Sequence, residues 1–223
     1  MISSTIQRDR PALGALAAAS LFCCALAAAR LGYTGRGTYL FLCWNLFLAW
    51  VPLGLSLALA RLDAGRALTA ALGAGWLAFF PNAPYLATDL VHLRERQPVP
   101  VWFDALLLLG FALTGLGLAF LSLVLVHRRV ERRLGARKGW LFVAAVAGLT
   151  GLGVYLGRFL RWNSWDLLTR PAELVAEVAR WLLAPAAHLR SAAVALFFGG
   201  FFGVAYVTLR ALARALRSEG AEP

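Results

Sequence analysis

The chain alternates long stretches free of Asp, Glu, Lys and Arg with short charge-rich connections. The six longest stretches cover 11–29, 37–60, 67–88, 105–126, 139–157 and 191–209. Each suffices to cross a bilayer, which takes about 20 residues. Lipid offers the backbone no water to bond, so each stretch is expected to be helical. The period-two alternation of a barrel strand is absent. The pattern therefore predicts an all-α membrane protein with one polytopic domain over 1–223. Its six-transmembrane-helix bundle has spans near 11–29, 38–60, 67–80, 102–126, 140–161 and 191–213. The first stretch has features of a signal peptide, with Arg8 and Arg10 ahead of it and Ala25, Leu26 and Ala27 resembling a cleavage site. Its length favours a retained span.

The third stretch breaks its own pattern in "FFPNAPYLATDLVHL". Pro81 and Pro84 lack amide donors, and each disfavours helix at the residue before it. The regular part, 67–80, is 14 residues, about 21 Å and short of a roughly 30 Å hydrocarbon core. Asn82 then reads as the N-cap of a short helix over 83–93. On that helix Tyr85, Asp89, His92 and Arg96 share one face, and Leu86, Leu90 and Leu93 the other. A second amphipathic segment, "RPAELVAEVARWLLAP", sets Leu174, Val175, Val178, Trp181 and Leu182 against Glu173, Glu177 and Arg180. It predicts an interfacial helix near 171–183.

Composition agrees with the pattern. Hydrophobic residues make up 61% of the 223 positions and charged residues 15%, against about 25% charged in soluble domains. The net charge of +11 would point to nucleic acid in a soluble chain, but no nucleic-acid motif is present. Most basic residues flank apolar runs, so the implied partners are membrane lipids. The densest basic stretch, "HRRVERRLGARKG", marks a cytoplasmic loop and puts both termini in the cytoplasm. Oligomeric state is not legible. Cys23, Cys24 and Cys43 lie inside apolar runs with no metal spacing and read as small buried residues. No metal or cofactor is expected.

On this topology, polar residues from separate segments converge on the outer side. Asp89, His92 and Asp104 are candidates for acid–base chemistry. Asn45, Asn82, Tyr85, Arg158, Arg161, Asn163 and Asp166 are candidates for ligand binding. Structural readings stand beside these. Asp89 and Asp104 could clamp helices by pairing with Arg158 and Arg161, and those arginines could instead snorkel. Asp104 could complement a helix dipole, and Asn45 could bond a neighbouring helix. Trp102, Trp162 and Trp165 fit an interfacial belt, while His127 and His188 are expected to be solvated. Gly153-xxx-Gly157 and Gly199-xxx-Gly203 permit close helix packing. Nothing marks Ser164 as a nucleophile, and phosphate-loop, dinucleotide and GxSxG patterns are missing.

The blocks "NLFLAWVPL", "FFPNAPYLATDLVHL", "WFDALLLL" and "LGRFLRWNSWDLL" resemble an uncharacterised bacterial integral-membrane family, domain of unknown function 1361, over roughly 45–168. The resemblance implies a polytopic fold in a bacterial cytoplasmic membrane and no mechanism. Three functions remain. One is a binding protein whose outward polar pocket holds an anionic amphiphile such as a lipid headgroup. Another is a small transporter, disfavoured by the apolar "GLAFLSLVLV" and "WLFVAAVAGL". The last is a membrane-embedded hydrolase or transferase using Asp89 and His92.

Overall fold

The computed structural model describes 2–62, 65–163, 166–183 and 189–219, with side chains from 9 onward except 167–168, 181–182, 190–191 and 217–219. Ser164, Trp165, His188 and the side chains of Trp181 and Leu182 lie outside the described residues. The described chain is helical, its one β feature an isolated bridge between Arg96 and Val99. Five helices are long and apolar enough to cross a membrane: Asp9–Thr34, Leu40–Arg61, Val101–Leu134, Ala136–Phe159 and Ala192–Leu216. This is the architecture of a multi-pass membrane protein. The chain forms two compact units, Met1–Arg129 and Val130–Pro223.

In the first unit, α1 (Ile2–Thr34) leads through Gly35, whose positive φ turns the chain, into α2 (Leu40–Arg61). Then come α3 (Arg66–Phe79), a four-residue α4 (Asn82–Tyr85), a 3₁₀ segment over Leu86–His92 and α5 (Val101–Leu134). α3, α4 and the 3₁₀ segment run antiparallel along α2. A Cβ placed on Gly75 would lie 3.6 Å from the Leu55 side chain. Further along, Asn45 bonds Asp89 and Phe41 meets the His92 ring. Trp76 is buried in this packing. Its indole N–H donates to Ser122 Oγ at 2.8 Å, and the Ser122 hydroxyl donates to Pro52 O at 3.1 Å. One relay thus ties α3, α5 and α2.

α3 stops at Phe79, and a two-residue turn, Phe80 and Pro81, joins it to α4. Both turn residues keep right-handed helical backbone, so the interruption lies in the hydrogen bonding. Pro84 cannot donate to Phe80 O, and Ala83 N–H takes that carbonyl at 3.2 Å. Phe79 O, left without its usual donor, receives the Asn82 side-chain amide at 2.9 Å. Asn82 therefore closes the end of α3 and is itself the first residue of α4, whose N-cap position is Pro81. The 83–93 segment is a short α turn followed by 3₁₀ helix, with three residues per turn. Leu86 and Asp89 consequently share the buried side, whereas Leu90 and Leu93 are exposed. The expected division of this segment fails for that reason. Gly115 of α5 fits against it: a Cβ there would sit 2.6 Å from Ala83 O.

The basic segment after span four is not a loop. α5 continues to Leu134, Gly135 turns the chain with φ 88°, and α6 begins at Ala136. His127, expected to be solvated, is fully buried within α5, and the helix runs on past it because Arg, Glu and Leu are good helix formers.

The second unit holds α6 (Ala136–Phe159), α7 (Asp166–Thr169), α8 (Pro171–Leu183) and α9 (Leu189–Glu219). α6 and α9 pack backbone to backbone: a Cβ on Gly151 would lie 1.9 Å from Ala195 O, and one on Gly199 2.6 Å from Ala147 O. Small residues permit such contact. Gly199 belongs to a predicted small-residue motif, but its counterpart Gly151 does not. At the other end of the pair, Arg210 Nη2 reaches Glu131 Oε2 at 2.9 Å, and its guanidinium lies 5.1 Å from the Trp140 ring centroid. α6 stops at Phe159, two residues before the expected boundary. Arg161 takes φ 59°, and Trp162 N–H returns to Leu156 O at 3.1 Å.

Candidate functional site

Residues of the first unit build a basic recess around Tyr39. Arg30, in the last turns of α1, donates from Nε to Asp104 Oδ1 at 2.6 Å and from Nη2 to Asp104 Oδ2 at 3.0 Å. Arg30 is 4% exposed and Asp104 1%, so this two-point pair is shielded from water. The Arg30 guanidinium carbon also lies 4.7 Å from the Tyr39 ring centroid, and that of Arg96 lies 5.9 Å from it. The Tyr39 hydroxyl donates to His92 O at 3.2 Å. Burial, and then the Asp104 carboxylate, push the Tyr39 phenol above its ordinary value against the pull of Arg96 and Arg30. Tyr39 is therefore neutral at physiological pH and serves as a ring between cations.

Beside this cluster lies a cavity of about 260 Å³ lined by Arg30, Thr34, Arg36, Thr38, Arg96 and Gln97. Three of the six lining residues are arginines and none is acidic. The Thr34 hydroxyl shapes the wall, donating to Arg30 O at 2.8 Å while accepting from Arg36 N–H at 3.1 Å. Arg96 Nε is buried without a hydrogen-bond partner. Buried donors normally find acceptors, which makes this atom an exception within the recess.

The neighbouring Asp89 is 1% exposed. Its Oδ2 accepts from Asn45 Nδ2 at 3.1 Å, and its Oδ1 lies 3.8 Å from His92 Nε2. His92 is partly open, with its ring edge-on to Phe41 at 5.3 Å between centroids. Three predicted site residues, Asn45, Asp89 and His92, are thus brought together. Tyr85 sits at the start of the 3₁₀ segment, where its carbonyl accepts from Thr88.

A clamp of Asp104 to Arg158 or Arg161 was expected, and both Asp104 oxygens are taken by Arg30. The partner of Asp104 is Arg30, because α1 continues to Thr34 and keeps Arg30 on a packed helix facing the first turn of α5. Arg158, Arg161, Asn163 and Asp166 belong to the second unit. There Asp166 organises a local turn. Its Oδ2 accepts from Asn163 N–H at 2.8 Å, and its Oδ1 faces Arg170 at 3.1 Å. Arg170 in turn lies 4.7 Å from the Trp162 ring centroid. Those donors, the Asn163 N–H first, hold the Asp166 carboxyl below the usual carboxylate range. Among the described residues, no group of three or more His, Cys, Asp and Glu could hold a metal.

Sequence reasoning passed over Arg30, Arg36 and Tyr39, treating the two arginines as flanking charge. A signal was available: Asp104, at the start of an apolar run, needs a cation on its own side, and "ARLGYTGRGTY" supplies two. Residues 44–205 match the family described as "Protein of unknown function (DUF1361)". No curated protein and no solved structure matches the chain.

Proposed function

We propose that this chain, which belongs to the DUF1361 family, is a membrane receptor for the anionic head of an amphiphile, held in the arginine-lined cavity of its first unit. The carrying observation is that recess: Arg30, Arg36 and Arg96 around about 260 Å³, with Arg96 Nε unsatisfied. The volume falls just under the roughly 300–1,000 Å³ of sites that enclose drug-sized ligands and suits a headgroup. Its walls come from the end of α1, the turn into α2 and the segment after the 3₁₀ helix, all at the ends of apolar stretches. Tyr33, Leu40, Phe41 and Trp102 nearby in sequence are exposed and apolar, as a lipid-facing rim requires.

The membrane reading extends to six crossings. α2 spans, and α3 with α4 and the 3₁₀ segment accompanies it from Gly75 to His92. The helical pieces together supply the length that α3 alone lacks. The basic end of α5 then faces the cytoplasm with both termini, and the cavity opens outward at a bacterial cytoplasmic membrane. α8, with Pro171 in its first turn and Val175 exposed, lies along the interface.

The test is lipid retention by the full chain in neutral detergent, read by native mass spectrometry. Phosphatidylglycerol should be retained over phosphatidylcholine, and Arg36→Gln with Arg96→Gln should abolish the preference. An unchanged preference in that variant would refute the site.

A second reading rests on the Asn45–Asp89–His92 arrangement, in which a buried carboxylate lies 3.8 Å from the ring nitrogen of a half-open imidazole, a pairing open to general-base chemistry once it tightens. It predicts lipid products in vesicles holding the wild type that vanish with Asp89→Asn. Identical lipid profiles would eliminate it.

A further inference from the structure

We infer that the cavity selects a phosphate monoester, a dianion, over phosphodiesters and carboxylates. The inference deepens the anionic-head reading and rests on it. Charge balance carries it. Three guanidinium groups line the recess, and the one carboxylate committed to them, Asp104, gives both oxygens to Arg30. Two positive charges remain. The adjacent Arg94 and Glu95 are exposed, opposite in sign and outside the lining. His92 is engaged away from the lining, with Phe41 and Asp89.

Arg96 is half-buried with its Nε shielded, and Arg36 is exposed at the mouth, so each gains a charge-assisted hydrogen bond when an anion pairs with it. A phosphodiester or a carboxylate brings one negative charge and leaves one guanidinium unmatched. A phosphate monoester brings about −1.5 to −2 near pH 7 and three strong acceptor oxygens. The donors fit that number. Arg30 spends Nε and Nη2 on Asp104 and retains Nη1. Arg96 offers a buried Nε–H with no acceptor, and Arg36 adds a third guanidinium. Guanidinium forks favour phosphate oxygens in this way. The monoester can arrive on a lipid, as in phosphatidic acid, or as free phosphate, since the recess recognises the same head in either case.

The experiment titrates the full chain in neutral detergent with phosphatidic acid, phosphatidylglycerol, phosphatidylcholine and inorganic phosphate. At pH 8 phosphatidic acid should bind roughly tenfold more tightly than phosphatidylglycerol, the ratio one added charge-assisted hydrogen bond confers. The ratio should fall toward one at pH 5, below the monoester's second pKa of about 6. Arg36→Gln should erase the ratio. Lys138→Gln, an exposed cation of the second unit, removes the same charge and should leave the ratio unchanged. Equal binding of the two anionic lipids at pH 8 would overturn the dianion inference and leave the anionic-head reading standing. Loss of the ratio in the Lys138 variant would also overturn it. Binding of neither lipid beyond phosphatidylcholine would overturn both, unless inorganic phosphate binds alone. Inorganic phosphate that competes fully supports the dianion inference with a soluble source, and competition by phosphatidic acid alone supports it with a lipid source.

Discussion

Replacing Arg30 by Met, Asp104 by Leu, and both together isolates the pair on which the recess is built. Both partners are almost fully buried and meet at 2.6 and 3.0 Å. Opposite charges about 4 Å apart at an effective dielectric of about 20 attract by about 4 kcal/mol. Removing one partner of a buried pair costs about 3–5 kcal/mol, because the other is left charged and desolvated, whereas an apolar exchange of both is often neutral. Each single variant should therefore lose about 3–5 kcal/mol and the double variant far less, giving a coupling of roughly 2–4 kcal/mol. A reference state that stays in the micelle lets freed groups find other partners and pulls the coupling toward roughly 1 kcal/mol. The assay is equilibrium unfolding in mixed micelles followed by tryptophan fluorescence. Additive single effects, within about 0.5 kcal/mol, would refute the claim that Arg30 and Asp104 act as one buried unit.

Gly151→Ala should destabilise the α6–α9 pair by about 1–3 kcal/mol, since its Cβ would meet Ala195 O at 1.9 Å and force the helices about 1.5 Å apart to reach ordinary contact. Gly148→Ala on the same helix meets nothing within 4 Å and should be neutral or stabilise by up to about 1 kcal/mol; melting temperatures in detergent check both. Ser122→Ala leaves the Trp76 indole N–H without its acceptor and should cost about 1–3 kcal/mol, with a shifted tryptophan emission. Asp166 has a lowered folded-state pKa, so its stabilisation is fully present above the unfolded value of about 3.8 and is lost as pH falls through the lower folded value. Hydrogen exchange at the Asn163 amide should accelerate only at that acid end, and Asp166→Asn should remove the pH dependence.

The apolar runs were legible because lipid demands them: α1, α5 and α9 each contain an expected span, and α2 and α6 each cover all but two residues of one. What escaped was local hydrogen bonding and partner choice. Two prolines within a helical path predict a break, but the reassignment of Phe80 O to Ala83 N–H and of Phe79 O to Asn82 depends on atoms that no periodicity encodes. The switch to three residues per turn then moved Leu86 to the buried side with Asp89. The basic stretch after span four reads as a loop by charge, although its residues are good helix formers and only Gly135 turns. Asp104 was recognised as unusual. Its partner was not, because Arg30 falls one residue beyond an apolar run and looked like flanking charge.

The clamp and the ligand site, opposed on sequence alone, are compatible at Asp104. A clamp uses up its charges, and this one uses up only its own pair. Asp104 fixes Arg30 by two bonds, and the fixed guanidinium keeps Nη1 for the recess it lines. The Tyr39 ring faces both Arg30 and Arg96, and each cation–π contact is worth about 0.5–1 kcal/mol or more when desolvated. Two like charges can therefore approach one ring without a second carboxylate. Had another acid filled the recess, the charge there would be balanced and Arg96 Nε would have an acceptor. On the proposed reading, its absence from the lining is what separates an anion site from a purely structural cluster. The same reasoning makes a single added carboxylate informative: Thr38→Asp, placed in the cavity wall, should stabilise the ligand-free protein in a thermal melt and abolish anion binding together. A variant that bound phosphatidic acid as well as the wild type would show that the anion sits elsewhere.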